Sequence, residues 1–472
     1  MMVNRAATWI SLCVVLAVLA GCSGGGGGAR ATNGAPRRGT PERIAILVTI
    51  DGLMPEAYTA PDQHGLAVPT LRWLAQHGAW ASSARPVMPT VTYPSHTTMA
   101  TGVEPARHGI VSNRSFDPLE KNHGGWRWYA EDIRVTTLWQ AAEKSGKRTA
   151  LLQWPVTAGA RATWVVAEYW RAKTTEDQKL LRALSTPGLL DAVARRFPDF
   201  WDKPVPDADL LDDRRVVDIA AHLLDVGPPD LMLIHLPVVD HFEHERGVWS
   251  REAAAGTEYM DVQLGRLIEE CKRRGLWSRV GLFVVSDHGF APSHTELRPA
   301  VLFREAGLIK VDAAGKPTSW SAGVQANGGS AYIYLAKRDD EATGRAVRAL
   351  LAPYVGPGKP IKRMIGPAEI AAIGGDPEAF LALDGADGYV FQEGASGTWL
   401  KTPSARGHHG WFPDQPAMRA SFLAHGRGIR PGALGEVRLV DVGPTVARWL
   451  GVPLPDATGR PIDLTSTRRS PQ

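Results

Sequence analysis

Cysteine is nearly absent from this chain, with three in 472 residues, and two of them, Cys13 and Cys22, lie near the N-terminus. Only Cys271 remains for a folded region, so an intramolecular disulfide is excluded there, and so is an iron–sulfur cluster. Cys271 sits in YMDVQLGRLIEECKRRG, where Met260, Leu264, Leu267, Ile268 and Cys271 recur at helical spacing ahead of Gly275. That pattern makes it a core residue on a helix, not a nucleophile. A strong charge imbalance is missing too: the formal net charge is +4 and the bases are scattered. No nucleic-acid polymer is therefore expected as a partner. There is no internal repeat at a fixed period.

The N-terminus carries a targeting pattern. Arg5 precedes the apolar run WISLCVVLAVLAG, Trp9 to Gly21, which ends in LAGC, Leu19 to Cys22. The run is too short to span a bilayer with margin, and its end resembles the lipobox of bacterial lipoproteins. That resemblance implies a signal peptide over residues 1–21, cleavage before Cys22, and a lipid anchor on Cys22. The expected location is outside the cytoplasm, at a bacterial membrane, periplasmic or outer. Residues 22–41 are Gly-rich and polar and read as a tether.

From residue 42 to about 465 the pattern is that of one α/β domain. Short, continuous apolar runs end in a polar residue and a turn: RIAILVTIDG, RTALLQWP, DLMLIHLPVVD, VGLFVVSDHG and RASFLAHG. Such runs suit strands buried on both faces, as in a parallel sheet. Helical patterns alternate with them over 69–78, 137–146, 214–227 and 441–451. The alternation predicts a sandwich with a mostly parallel central sheet flanked by helices. Residues 291–406 are less regular and read as a small inserted subdomain or lid.

In open α/β sheets ligands sit beyond the carboxyl ends of the strands. Asp51, Asp240 and Asp287 stand at or just after such ends. Asp240 and His244 are four apart, within reach of one ion if a helix follows the strand. Asp287 is followed by His288, and ARGHHGW adds His408 and His409 between glycines. Oxygen and nitrogen donors without a thiolate fit zinc or a similar divalent ion. Three carboxylates against two divalent cations leave a net positive site, which favours an anionic substrate.

VMPTVTYPSHTTMATG, Val87 to Gly102, is rich in hydroxyls and poor in aliphatics. Pro94 fits a first helical turn, so a helix is expected from Thr92 or Tyr93 to Gly102. Thr92 at its start lies near the positive end of the helix dipole. Thr97, Thr98 and Thr101 lie deeper and are expected to be structural, and Thr90 is the rival hydroxyl.

These motifs, in this order, resemble the nucleotide pyrophosphatase/phosphodiesterase family of the alkaline phosphatase superfamily. The resemblance spans roughly Ile44 to Ile462 and implies an alkaline-phosphatase-like fold and a hydrolase with two Zn2+ ions, other divalent ions being possible. By it, Asp51, Asp287 and His288 would hold one ion together with the oxygen of Thr92, and Asp240, His244 and His409 the other. Thr92 matches the family's nucleophile, and Asn113 in HGIVSN the residue that binds a phosphoryl oxygen. Two departures stand out: Glu243 occupies a position where the family often has glycine, and His241 competes with His244 as a ligand.

The expected activity is hydrolysis of a small phosphodiester or nucleotide substrate through a threonyl-phosphate, since a cation removes the need for a histidine base to activate the hydroxyl. TYPSH lacks the Cys or Ser, Pro and Arg of sulfatases. The segment PVTAGAR after LLQW lacks the Lys-x-Arg pair with which threonine-dependent alkaline phosphatases clamp a monoester, which leaves the monoesterase as the weaker alternative. A non-catalytic zinc-binding lipoprotein is the remaining one. Tyr93 and Trp154, with Tyr169 and Trp170, are expected to stack against the substrate.

Overall fold

Seven consecutive buried side chains, Ile44–Ile50, form the central strand β1. They alternate between two cores: Ile44, Ile46, Val48 and Ile50 face one, Ala45 and Leu47 the other. Each Ile or Val buried in this way contributes about 1.5–3 kcal/mol, and a strand apolar on both faces is stable only with helices covering both.

The structure is a computed structural model that describes residues 40–122, 124–172, 174–202 and 212–465. The expected signal peptide, Cys22 and nearly all of the expected tether lie outside the described residues. In chain order the further strands of the main sheet are Ala79–Trp80 (β2), Thr149–Leu152 (β3), Trp164–Val166 (β4), Leu231–Leu236 (β5) and Val280–Val285 (β6). After an insertion with its own sheet, Ala322–Ala326 (β7), Ser330–Leu335 (β8), Ile361–Ile365 (β9) and Leu381–Gly385 (β10), come Phe422–Gly426 (β11) and Gly432–Ala433 (β12). The main sheet has the order β12-β2-β11-β6-β1-β5-β3-β4.

β1 pairs in parallel with β5 (Ala45↔Leu231 to Ile50↔Leu236) and with β6 (Ile44↔Val280 to Thr49↔Val285). β3 extends the parallel set beside β5 and β4. β11 alone runs against its neighbours, so the apolar run at 419–426 is a strand as expected, but antiparallel.

The helices that matter here are Pro69–His77 (α1), Thr92–Thr101 (α2), Leu138–Lys144 (α3), Asp213–Val226 (α4), Val238–Arg246 (α5), Arg251–Arg273 (α6) and Val442–Leu450 (α7). Side chains of α1, α4 and α6 fill the first core, with Cys271 of α6 only 1% exposed. Those of α2, α3 and α7 fill the second. Start signals are local: Thr137 and Gln140 form a capping box at α3, and the Asp212 side chain accepts the Arg215 N–H at α4.

The insertion is built on the antiparallel sheet β7-β8-β10-β9 with a separate apolar cluster that includes Phe303, Ile333, Val347 and Leu383. It belongs to the same compact unit as the main sheet and reaches the carboxyl edge of that sheet through residues 327–329. Ser112 Oγ donates to Asn327 Oδ1 at 2.7 Å, and the Gly329 N–H donates to the His409 carbonyl at 2.8 Å. Gly410 has φ +98, and a Cβ there would lie 1.6 Å from the Asn327 carbonyl oxygen. Only glycine fits both the backbone conformation and the contact.

Gly410→Ala is therefore expected to destabilise the fold by about 2 kcal/mol or more, read by chemical denaturation, and to push the 408–411 loop off residues 327–329.

Candidate active site

β1, β5 and β6 end at one edge of the sheet, and Asp51, Asp240 on α5, and Asp287 follow those ends. The helical turn of α5 puts Asp240 and His244 on one face, as their spacing predicts. Donor atoms of Asp51, Asp287 and His288 lie within 4.8 Å of one another. The same holds for Asp240, His288 and His409, and for His244, His408 and His409. Residues as far apart in sequence as Asp51 and His409 thus meet at one site. His241 is outside these groups, with its Nε2 3.8 Å from Glu245; of the two imidazoles on α5 it is His244 whose Nε2 lies beside Asp240, at 3.4 Å.

The imidazoles are oriented by backbone. His244 Nδ1 lies 2.9 Å from the Gly407 carbonyl, His409 Nδ1 3.1 Å from the Thr90 carbonyl, and His288 Nδ1 3.2 Å from the Gly289 carbonyl. A carbonyl only accepts, so each neutral ring carries its proton on Nδ1 and turns a bare Nε2 lone pair inward. Those Nε2 atoms face carboxylate oxygens: His288 is 3.3 Å from Asp51 and 3.2 Å from Asp287, and His244 and His409 are 3.4 and 3.7 Å from Asp240.

Lone pair against carboxylate is repulsive, and the electrostatics agree. Burial, then the charge of Asp240, holds the Asp51 carboxyl well above the usual range. Burial, then Asp51, does the same to Asp287, and burial lifts Asp240 to about 7. In the opposite direction burial pushes His288 and His409 well below the ordinary imidazole value and His244 down to about 4. Asp51 Oδ1, Asp240 Oδ1, Asp287 Oδ2 and His288 Nε2 are buried without a hydrogen-bond partner. Buried polar atoms left in this state cost about 1–3 kcal/mol each. Divalent cations between them would satisfy all four, so the residues fit a metal centre.

Thr92 is the first residue of α2 and is 8% exposed. His96, one turn on, sets its Nδ1 2.8 Å from the Thr92 carbonyl and 3.6 Å from Asp287 Oδ2, which brings the start of α2 to the carboxylates. Asn113 Oδ1 accepts the Tyr93 N–H at 2.8 Å, placing its amide beside Thr92. The first turn offers fewer donors than the sequence suggests: Tyr93 N–H is taken by Asn113, Pro94 has none, and Ser95 N–H goes to the Val91 carbonyl. Thr90 donates its hydroxyl to the Trp411 carbonyl at 2.7 Å and is buried. Thr98 pairs with His108, and Thr101 bonds back to Thr97. The rival hydroxyls are structural.

Two expected substrate contacts are corrected. Tyr93 and Trp154 are both fully buried, so neither ring has a face for a ligand. Tyr93 lies edge-on to Trp126 and Trp128 at 5.1 and 6.1 Å and donates its hydroxyl to Glu168. Trp154 packs edge-on against His96 at 4.9 Å. Tyr169 and Trp170 are half-buried, and both pack against Trp128.

Two residues at the site, His235 and His96, escaped the sequence reading. His235 spans the Gln153 carbonyl and Asp51 Oδ2 at 3.1 and 3.0 Å; its signal was an imidazole inside the apolar strand LMLIHL. His96 was hidden among threonines. Glu243 is 2% exposed beside Asp240, where burial and then that charge hold its carboxyl well above the usual range.

The fold has counterparts. Human ectonucleotide pyrophosphatase/phosphodiesterase 5 superposes with a TM-score of 0.61 at 18% identity, covering 91% of this chain and 97% of that one. The murine protein, as an inactive threonine-to-alanine variant in complex with AMP, does so at 0.60 and 18%, covering 89% and 96%. In sequence, an uncharacterized pyrophosphatase/phosphodiesterase of Schizosaccharomyces pombe is 28% identical over 266 residues, 53% of this chain and 46% of that protein. The chain thus matches about half the length of that relative. The family model described as type I phosphodiesterase/nucleotide pyrophosphatase matches residues 45–411. With a match over most of the sequence that takes in every strand-end carboxylate and imidazole described above, the chain belongs to the type I phosphodiesterase/nucleotide pyrophosphatase family.

Proposed function

We propose that this chain is a metal-dependent phosphodiesterase or nucleotide pyrophosphatase that hydrolyses small anionic diesters or phosphoanhydrides through Thr92, outside the cytoplasm and anchored by lipid on Cys22. One observation carries the reading. Three imidazoles with their Nδ1 protons on backbone carbonyls aim bare Nε2 atoms at buried, unpartnered carboxylate oxygens.

Asp51, Asp287 and His288, with the Thr92 oxygen, would hold one Zn2+, and Asp240, His244 and His409 the other. When bound, the two ions supply Lewis-acid stabilisation of the entering and leaving oxygens. The rest is done by the chain. The Thr92 hydroxyl oxygen attacks phosphorus and forms a threonyl-phosphate, its proton leaving with the departing alcohol or phosphate; water then adds to phosphorus, breaks that ester and returns a proton to the Thr92 oxygen. The Asn113 amide, turned by its bond to Tyr93 N–H, and the positive end of α2 take up charge on the phosphoryl oxygens. Family membership and the AMP bound by the murine relative support a nucleotide as a substrate class.

Thr92→Ala should lower turnover of a chromogenic phosphodiester by about a thousandfold or more, with zinc supplied and the fold intact by circular dichroism. A variant as fast as the parent overturns the nucleophile. Measured at equal concentration, diesters should exceed monoesters; the reverse result makes the protein a monoesterase.

Ion affinity should also depend on pH with a defined sign. In the metal-free chain burial raises Asp240 to about 7, so below that pH a proton must leave before the second ion binds. Apparent Zn2+ affinity for that position, read by titration calorimetry, is expected to rise about tenfold per pH unit up to about 7 and then level off.

A further inference from the structure

β1 separates two unlike edges. Its last residues lead into Asp51, whereas its first residue, Ile44, follows Arg43 and the start of the described chain at Thr40. At this second edge Arg279 precedes β6 and donates to the Pro41 carbonyl at 3.0 Å. β11 runs antiparallel and pairs Gly426 with Gly281 at the beginning of β6, so Arg427 emerges at the same edge. Trp449 of α7 packs there against Gly281, beneath Arg43, whose guanidinium carbon lies 5.7 Å from the ring centre. A cleft of about 200 Å³ opens between Arg43, Arg427, Arg448 and Trp449, with Asp463 as the single carboxylate lining it. Arg43, Arg279, Arg427, Arg430 and Arg448 are all exposed.

We infer that this edge is a docking surface for an anionic lipid bilayer, with the Arg43–Arg427–Arg448 cleft receiving a phosphate headgroup. Guanidiniums pair bidentately with phosphate, juxtamembrane bases are drawn to anionic leaflets, and indole rings settle at the headgroup level. Chain length agrees: the segment from Cys22 to Thr40 reaches at most about 60 Å when fully extended. A lipid on Cys22 would therefore hold the basic edge close to the bilayer and turn the carboxylate edge toward solvent, where a dissolved substrate arrives. The inference uses the proposed anchor for delivery only, because the surface itself lies within the described residues.

The test uses the chain from Ser23 onward, which carries neither the apolar segment Trp9 to Gly21 nor Cys22 and keeps the whole compact unit from Thr40, in co-sedimentation with phosphatidylcholine vesicles containing about 30% phosphatidylglycerol at low ionic strength. Binding is expected to these vesicles and not to phosphatidylcholine alone. It should weaken about tenfold or more when Arg427→Glu, Arg430→Glu and Arg448→Glu are combined. A control with Arg338→Glu and Arg345→Glu, exposed bases on the insertion, should bind as the parent does, with thermal unfolding reporting that each variant is folded. Absence of vesicle binding, or equal loss in the control, overturns the inference; so does retention on a DNA duplex without retention on vesicles. The mass of the N-terminal peptide of the exported protein reports the lipid separately, so a missing anchor and a missing docking surface give different results.

Discussion

Three carboxylates crowded at the end of one sheet, Asp51 and Asp287 away from bulk water and Asp240 half-buried, all facing imidazole lone pairs, are the constraint to which the rest of the molecule answers. Asp51 and Asp287 are 5% and 0% exposed; on top of burial, the charge of Asp240 raises the proton affinity of both, and that of Asp51 raises Asp287 further. No apolar packing can relieve that. Replacing water around an ionised carboxylate by protein costs several kcal/mol even after relaxation, so such a cluster is stable only when charge of the opposite sign enters it. Among the described residues no lysine or arginine supplies it: the ion-pair partners of Asp51, Asp240 and Asp287 there are all histidines. The cluster is built for a cation from outside.

The scaffold holds this costly arrangement by dividing the work among elements remote in sequence. Parallel strands supply the carboxylates, because their ends fall at one edge by topology alone. α5 adds His244 one turn beyond Asp240. The insertion supplies the backing for His409: its Gly329 N–H donates to the His409 carbonyl and its Asn327 carbonyl closes on Gly410, so residues 291–406 serve as a clamp on the His408–His409 loop.

How far the sequence revealed this follows the range of the interactions involved. Strand runs, α2 with Pro94 in its first turn and Gly102 as its left-handed cap, and the Asp240–His244 spacing are local patterns, and all could be read directly. Candidate donors could be singled out because metal chemistry restricts residue types, whereas their division between two ions follows only from the family resemblance. Whether an aromatic ring is open or covered depends on what folds over it, and that is non-local. Tyr93 looked like a stacking surface because it adjoins Thr92, but Trp126 and Trp128, more than thirty residues on, close over it. β11 reads as one more buried strand whichever way it runs, since two-faced burial leaves no trace of direction in a five-residue run. His235 is visible as a polar residue in an apolar strand, yet its partners, Gln153 and Asp51, lie just past the ends of two other strands.

The covered aromatics bear directly on reactivity. Around Thr92 every neighbouring group is fixed: its carbonyl by His96, Tyr93 N–H by Asn113, the Tyr93 ring by two indoles and its hydroxyl by Glu168. Just before it, Thr90 is tied through its side chain to the Trp411 carbonyl and through its own carbonyl to His409. A threonine also carries a β-methyl that restricts χ1. Misplacement of a reacting atom by about 1 Å costs on the order of a hundredfold in rate. In the proposed reaction the Thr92 hydroxyl would therefore meet a substrate from a backbone that has little left to reorganise, and the burial that covers Tyr93 is what holds Thr92 in position.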